Sequence, residues 1–429
     1  MLSRLLKSII TIFFCCVCVV LPAHSNELPA GTVIKASNIN GLLLQTFEGK
    51  TIASMIPEKI EWMIKEHGLT IILRHFEEIP IDPRRIEATR KYSANVTFDP
   101  ETRMVSGYRA GLPFPDVSSD DPHAATKLIW NLYLTGGTLS QNFLYIPKFT
   151  YLMIDGDKGI ERSMKWIHMR IWMTGRLGGE PVLSDGSIQY KYVNCGYHPY
   201  DIRGAGSFTI RYMDGRMDDM WAYVRTARRT RRLLGGNWMD PIGGTDQLND
   251  EMSVFSAFPT WYPKYTLLGK RTILAVAHSR GKAWDEDNKD NPFPNLDLKN
   301  PPYWNPINEW EPREVWVIEA EMPEEHPYSK RIYYFDAKTW VPYIGECYDK
   351  KGEFFKILLN DTLPLKGDDT EHSWGSIAVG GCTIDFKRRH ATVFFQSEDT
   401  RRNPPGMKEH HVTLGVMEAI AQGRWKPPF

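Results

Sequence analysis

From Tyr92 to Gln396 the chain repeats one pattern. Short runs alternate apolar and polar residues, and tight turns of Gly, Asp, Asn and Lys separate them. A period of two marks strands, whose side chains point to opposite faces in turn. The runs include WIHMRIWMTG, IQYKYVNC, GSFTIRYMDG, MWAYV, RTILAVAH, REVWVIEAEM, SKRIYYFD, WVPYIGECYD, EFFKILL, GGCTIDF and HATVFFQ. About a dozen consecutive strands with short connections make an antiparallel sheet, because parallel neighbours need long crossovers. A sheet that wide must curl or close.

The expected fold is therefore α+β: a large curved antiparallel β-sheet, a half-open barrel, covered by helices and loops. Three segments are candidates for the cover. GKTIASMIPEKIEWMIKEHG (Gly49 to Gly68) carries apolar residues at helical spacing, with Pro57 splitting it. KLIWNLYL is short and compatible with a helix, and DNPFPNLDLKNPPYWNPINEWEP is a Pro-rich loop. YSANVTFDPETRMVSGYRAG predicts a hairpin turning at Asp99 to Thr102. No internal repeat or linker divides the chain, so 26–429 reads as a single domain.

The first residues, MLSRLLKSIITIFFCCVCVVLPAHSNELPAG, read as a signal peptide. Arg4 and Lys7 precede an apolar run of Ile9 to Leu21, too short for a comfortable membrane span. Ala23-His24-Ser25 fits the small-x-small cleavage rule, which makes 1–25 a cleaved segment and Asn26 the first mature residue. The expected location is the periplasm. Of the six cysteines, Cys195, Cys347 and Cys382 remain after cleavage. A bridge between Cys347 and Cys382 is conceivable, but a core of this size needs no staple.

RRTRRLLGG (Arg228 to Gly236) suggests nucleic acid at first sight, but the whole chain carries 52 basic and 52 acidic residues. A near-neutral protein has no general field for a polyanion. Read as a strand, the segment puts Arg229 and Arg231 on one face and Arg228 and Arg232 on the other. One reading is a solvated sheet edge paired to Asp218, Asp219 and Asp246. The other is a docking or anionic-headgroup site at a cavity rim, where guanidinium suits phosphate or carboxylate.

Catalytic signals are sparse. AHSRG (Ala277 to Gly281) has the spacing of a nucleophile elbow at Ser279, but the acidic and Pro-rich residues after it cannot make the helix an elbow requires. A serine hydrolase is therefore the alternative reading, and a non-catalytic envelope scaffold or sensor a third. GGTDQLNDE brings Asp246, Asp250 and Glu251 close together without the oxygen spacing of a calcium loop, so no metal and no cofactor are expected. The aromatic content, 14 Trp, 19 Tyr and 19 Phe, fits a large core or a lined cavity. The face Ile167, Met169, Ile171 and Met173 is wholly apolar, and a Met-rich lining adapts to a lipid-like ligand. Those four residues are the candidate cavity wall.

Several stretches resemble a bacterial family known as domain of unknown function 1329. They are YRAGLPFPD with DPHAATKLIWN, MWAYVRTARRTRRL with GGTDQLNDE, REVWVIEAEM with YSKRIYYFDAKTW and CYDKKGEF, and GGCTIDFKRRHAT. The resemblance spans Gly49 to Arg424. It implies a fold similar to the LolA/LolB-like carriers of outer-membrane lipoprotein sorting: a half-barrel with a helical lid over an apolar cavity. It further implies a non-catalytic periplasmic protein for hydrophobic cargo and a partner transporter of the resistance-nodulation-division type; peripheral contact with the membrane is a separate expectation.

Overall fold

The period-two runs form one sixteen-stranded sheet among the residues that the computed structural model describes: 27–135, 142–224, 227–233, 237–280 and 283–427. The expected signal peptide and its cleavage site lie outside these residues. The long strands are β1 (Phe143–Asp155), β2 (Gly159–Trp172), β3 (Ile188–His198), β4 (Gly206–Tyr212), β5 (Asp219–Val224), β6 (Arg229–Leu233), β7 (Lys264–Ala275), β8 (Glu309–Glu321), β9 (Lys330–Asp336), β10 (Pro342–Tyr348), β11 (Phe354–Lys366), β12 (Trp374–Asp385) and β13 (His390–Gln396). Their spatial order is β7-β8-β9-β10-β11-β12-β13-β1-β2-β3-β4-β5-β6, antiparallel at each step. Neighbours in space are neighbours in sequence except at one seam. There β13 pairs with β1, with Val393 opposite Leu152. β6 and β7 stand at opposite edges and do not pair with each other, so the barrel is half open.

Four helices of eight residues or more lie among the described residues: α1 (Glu58–Glu66), α2 (Pro83–Tyr92), α3 (Ala124–Thr135) and α4 (Leu414–Ala421). Pro57 stands at the start of α1 and separates it from the short helix Ile52–Met55, as its missing N–H dictates. The predicted hairpin around Asp99 forms, but its strands are only Thr97–Phe98 and Val105–Ser106.

Both faces of the sheet are covered, by different parts of the chain. On the outer face, Ile60, Met63 and Ile64 of α1 pack with Val315, Ile344 and Val393, joined by Phe293, Leu296 and Trp304 of the Pro-rich loop. α4 covers the outer face of β3 to β5 through Met417, beside Val193, Phe208 and Tyr223. On the inner face, Leu128, Ile129 and Leu132 of α3 pack on Tyr265, Ile318 and Tyr333. Each such fully buried Leu or Ile contributes roughly 1.5–3 kcal/mol. Of the three expected covers, then, only KLIWNLYL lies inside; the early helix and the Pro-rich loop lie outside. The rest of the inner cover is the segment 237–262, which connects β6 to β7 and so runs from one sheet edge to the other.

The three cysteines among the described residues, Cys195, Cys347 and Cys382, are free and buried. Cys347 packs in the inner-face cluster and Cys382 in the outer-face cluster, so the sheet itself stands between them. The conceivable bridge is not formed.

Candidate functional site

Alternation along β1 to β5 decides which side chains reach the inner face. In β2 these are Trp166, His168, Arg170 and Trp172; in β3, Tyr190, Tyr192 and Asn194; in β4, Ser207, Thr209 and Arg211. Above them the 237–262 segment contributes Trp238, Met252 and Trp261. Together they enclose a cavity of about 290 Å³. Two small bays of about 60 and 50 Å³ adjoin it, and Arg170 lines all three.

Buried ion pairs pin the roof onto the sheet. Asp246 accepts from Thr392 Oγ1 (2.8 Å), pairs with His390 Nδ1 (2.6 Å), and its backbone N–H donates to Thr392 (2.9 Å). Glu251 accepts from Arg331 (2.9 Å) and from the N–H of Leu248 (2.7 Å). Asp250 accepts from Arg331, from Tyr262 Oη (2.6 Å) and from His326 Nε2 (3.1 Å). Burial alone would raise the Asp250 carboxyl, but Arg331 and His326 hold it below the usual carboxylate range. The acids of GGTDQLNDE are thus anchors. Their close spacing in sequence is spent on two distant strands, β9 and β13, and among the described residues no group of three or more His, Cys, Asp or Glu forms a metal site.

The wall itself mixes aromatic surface with polar tips. Arg211 donates to both oxygens of Asp218 (2.6 and 2.8 Å) and to the carbonyl of Ser256 (2.8 Å). Tyr133 of α3 hydrogen-bonds Gln189 (2.5 Å) at one bay. The imidazole of His168 shares a hydrogen with Tyr192 Oη, and burial, helped by the Arg170 charge, pushes its pKa down to about 3. His168 is therefore neutral at physiological pH.

The sequence-predicted residues fall into place as follows. Ile167, Met169, Ile171 and Met173 are brought together, but on the outer face. They pack with Val193, Cys195, Val412 and Met417, and Met169 and Met173 are 0% exposed. This corrects the expected lining: the apolar face of β2 is closed by α4, and the opposite face of the same strand walls the cavity. An inner face that mixes charge with aromatic rings, as Trp166, His168 and Arg170 do, looks in sequence like a solvent face.

The arginine run is divided too. Arg228 sits in a turn at φ 46°, so it does not share a strand face with Arg232 as expected. Arg232 pairs with Asp219 and overlies Trp221 on the outer side, and Thr230 beside it bonds Glu418 of α4. Of the expected acids only Asp219 pairs with the run; Asp218 holds Arg211 and Asp246 holds His390. Arg229 and Arg231 stand opposite Val224 and Ala222, on the side of Ala222 and Met220 that lines the cavity. Both are exposed.

Ser279 is buried in the loop after β7. Its hydroxyl accepts from Asn295 (3.3 Å) and Asn308 (3.2 Å), and the neighbouring His278 turns to Glu311 (2.8 Å). Among the described residues no histidine hydrogen-bonds Ser279, and no helix lies between it and β8.

A half-open antiparallel sheet roofed over an aromatic cavity defines an α+β protein built around an internal chamber. The chain belongs to the family described as protein of unknown function (DUF1329), whose family model matches residues 33–413. Among solved structures, it is similar to one described as an outer membrane lipoprotein-sorting protein domain from Vibrio parahaemolyticus, at 15% identity and a TM-score of 0.44, over 66% of this chain and 95% of that one. A DUF1329 family protein from Desulfovibrio piger gives 15% identity and 0.44, over 66% and 94%. A LolA superfamily protein from Nitrosomonas europaea gives 12% and 0.37, over 66% and 95%. Comparison with curated protein sequences gives no match. No helix among the described residues is long and apolar enough to cross a membrane.

Proposed function

We propose that this protein is a periplasmic, non-catalytic carrier that holds a hydrophobic, lipid-like ligand in its inner cavity and exchanges it with an envelope transporter. The observation that carries this reading is the cavity itself. A folded interior normally packs to near-crystalline density, yet here about 290 Å³ stays open between aromatic rings and three methionines, Met217, Met220 and Met252. Such a mixture of apolar surface and few polar tips is what small-molecule sites present. Arg229 and Arg231, exposed on the rim, support the reading that an acidic partner or lipid headgroups meet the protein there.

The test is extraction. The protein is purified from periplasm without detergent and extracted with organic solvent, and the extract is identified by mass spectrometry. A stoichiometric amphiphile or sterol-like compound supports the carrier. Protein that comes out empty, and takes up no member of a lipid panel, overturns it.

A further inference from the structure

Where β2 lines the cavity, three successive inward side chains carry a polar atom with no hydrogen-bond partner among the described residues: Trp166 Nε1, His168 Nε2 and Arg170 Nε. They follow one another at every second residue along the cavity wall. Arg170 is the decisive one. It is 6% exposed, and its guanidinium lies 4.6 Å from the ring centroids of both Tyr190 and Tyr192. Its one hydrogen-bond contact among the described residues is the thioether of Met252, 3.5 Å from Nη2.

Other buried arginines of this protein meet oxygen. Arg211 holds Asp218, Arg331 holds Asp250 and Glu251, Arg313 holds Asp336, and Arg402 donates to the carbonyls of Leu365 and Ser373. Arg170 has neither a carboxylate nor a carbonyl among the described residues. Burying an ion without a counter-charge costs several kcal/mol. Two ring faces return up to ~2 kcal/mol each. Rings and a thioether carry no formal charge, so a surplus positive charge stays in the wall. A guanidinium stacked on the rings of Tyr190 and Tyr192, with Trp172 at 5.5 Å, turns its N–H edge to other acceptors, and the only one it meets among the described residues is the weak thioether of Met252; that edge is the one that binds oxyanions two-pronged.

The other charges around the cavity are already spent. Asp218 is neutralised by Arg211 and Asp250 by Arg331. His168 is neutral, and when Tyr192 donates to its Nδ1, its Nε2 carries the remaining hydrogen as a further donor.

We propose that Arg170 is a headgroup site. It binds the carboxylate, phosphate or sulfate of an amphiphile whose apolar body lies among the aromatic walls, with His168 Nε2 and Trp166 Nε1 as auxiliary donors. The assignment rests on the carrier reading and narrows it to an anionic cargo. Arg170 stands where the main chamber meets both bays, so a head held there leaves the chamber to the tail.

The test is a headgroup series on one tail, measured by titration calorimetry on the mature protein: decanoate, decyl phosphate, decanol, decyltrimethylammonium and inorganic phosphate alone. Decanoate or decyl phosphate should bind at least tenfold more tightly than decanol, and the ammonium should bind least. Arg170→Gln, with its fold checked by circular dichroism, should lose that preference while keeping its affinity for decanol; Arg170→Lys should keep part of it. Equal affinity for decanoate and decanol in the unaltered protein overturns the headgroup site and leaves the carrier standing, and this arm needs no variant to fold. Binding of no decyl compound overturns both readings. Inorganic phosphate binding as tightly as decyl phosphate keeps the anion site but overturns the amphiphile, and with it the carrier.

Discussion

Asp250 of the roof and Arg331 of β9 meet in a two-pronged ion pair, Nη1 to Oδ2 at 2.8 Å and Nη2 to Oδ1 at 3.1 Å, with both side chains fully out of solvent. This pair joins the segment between the sheet edges to β9, the third long strand in from the β7 edge. Removing one partner strands the other charge in the interior, which typically costs about 3–5 kcal/mol. Asp250→Asn is expected to lose stability on that scale in urea unfolding. Because Trp238 and Trp261 lie in the same segment, their fluorescence should shift at lower urea than the far-ultraviolet circular dichroism of the sheet. Coincident transitions at the unaltered midpoint would show that the roof does not depend on the pair.

Met169 and Arg170 are adjacent, yet one is sealed beneath α4 and the other faces the cavity. Met169→Asp is expected to unfold the protein or cost more than about 3 kcal/mol, since a carboxylate there has no partner and no water. Met169→Leu conserves volume and should cost less than about 1.5 kcal/mol. A folded Met169→Asp protein that loses ligand alone would return this face to the cavity wall.

Asp361 on β11 is buried, and burial raises its carboxyl to about 6, against a small opposing pull from the Asn308 amide. The native state therefore holds this proton more tightly than the unfolded chain does. Stability should fall as pH rises from ~4 to ~6 and then level off, by about 3 kcal/mol at most from this group. Asp361→Asn removes the dependence, so its stability relative to the unaltered protein should improve between pH 4 and pH 7.5. Urea unfolding at both pH values checks this; a pH-independent difference would refute it.

On the rim, Arg229→Gln with Arg231→Gln should leave the melting temperature within about 2 °C, as exposed substitutions usually do. Binding to vesicles containing phosphatidylglycerol should weaken on the order of tenfold at low salt, with the difference vanishing near ~0.5 M NaCl. Arg228, in the turn, serves as the internal comparison. Unchanged vesicle binding in the double variant would make the pair an ordinary solvated edge.

Cys195, Cys347 and Cys382 are free, and burial pushes the Cys195 thiol up to about 12 and the other two well above the ordinary thiol value. The native protein should resist thiol reagents until denaturant is added. Reduction should leave its melting temperature unchanged to within about 2 °C.

The strands were legible because period two is a local property, and so was the break at Pro57. β1 escaped notice: FLYIPKFTYLMID is nearly all apolar and is interrupted by Pro147, so it shows no alternation. Which face turns inward is not local. Ile167 to Met173 is the more apolar face of β2, but α4, more than two hundred residues later, claims it. The seam between β13 and β1 is equally invisible from either strand alone. The acids of GGTDQLNDE look like a polar turn because their partners, Thr392, His390 and Arg331, lie far along the chain.

The roof is a strap and not a flap. Its two ends run into β6 and β7, the opposite edges of an open sheet, so it has no free end on which to swing aside. A ligand of the kind proposed above would have to enter past a strap fastened at both ends. A flatter sheet moves the edges apart and draws the strap tight over the chamber; a more curled one loosens it. Spin labels on β6 and β7 would report that spacing as ligand enters.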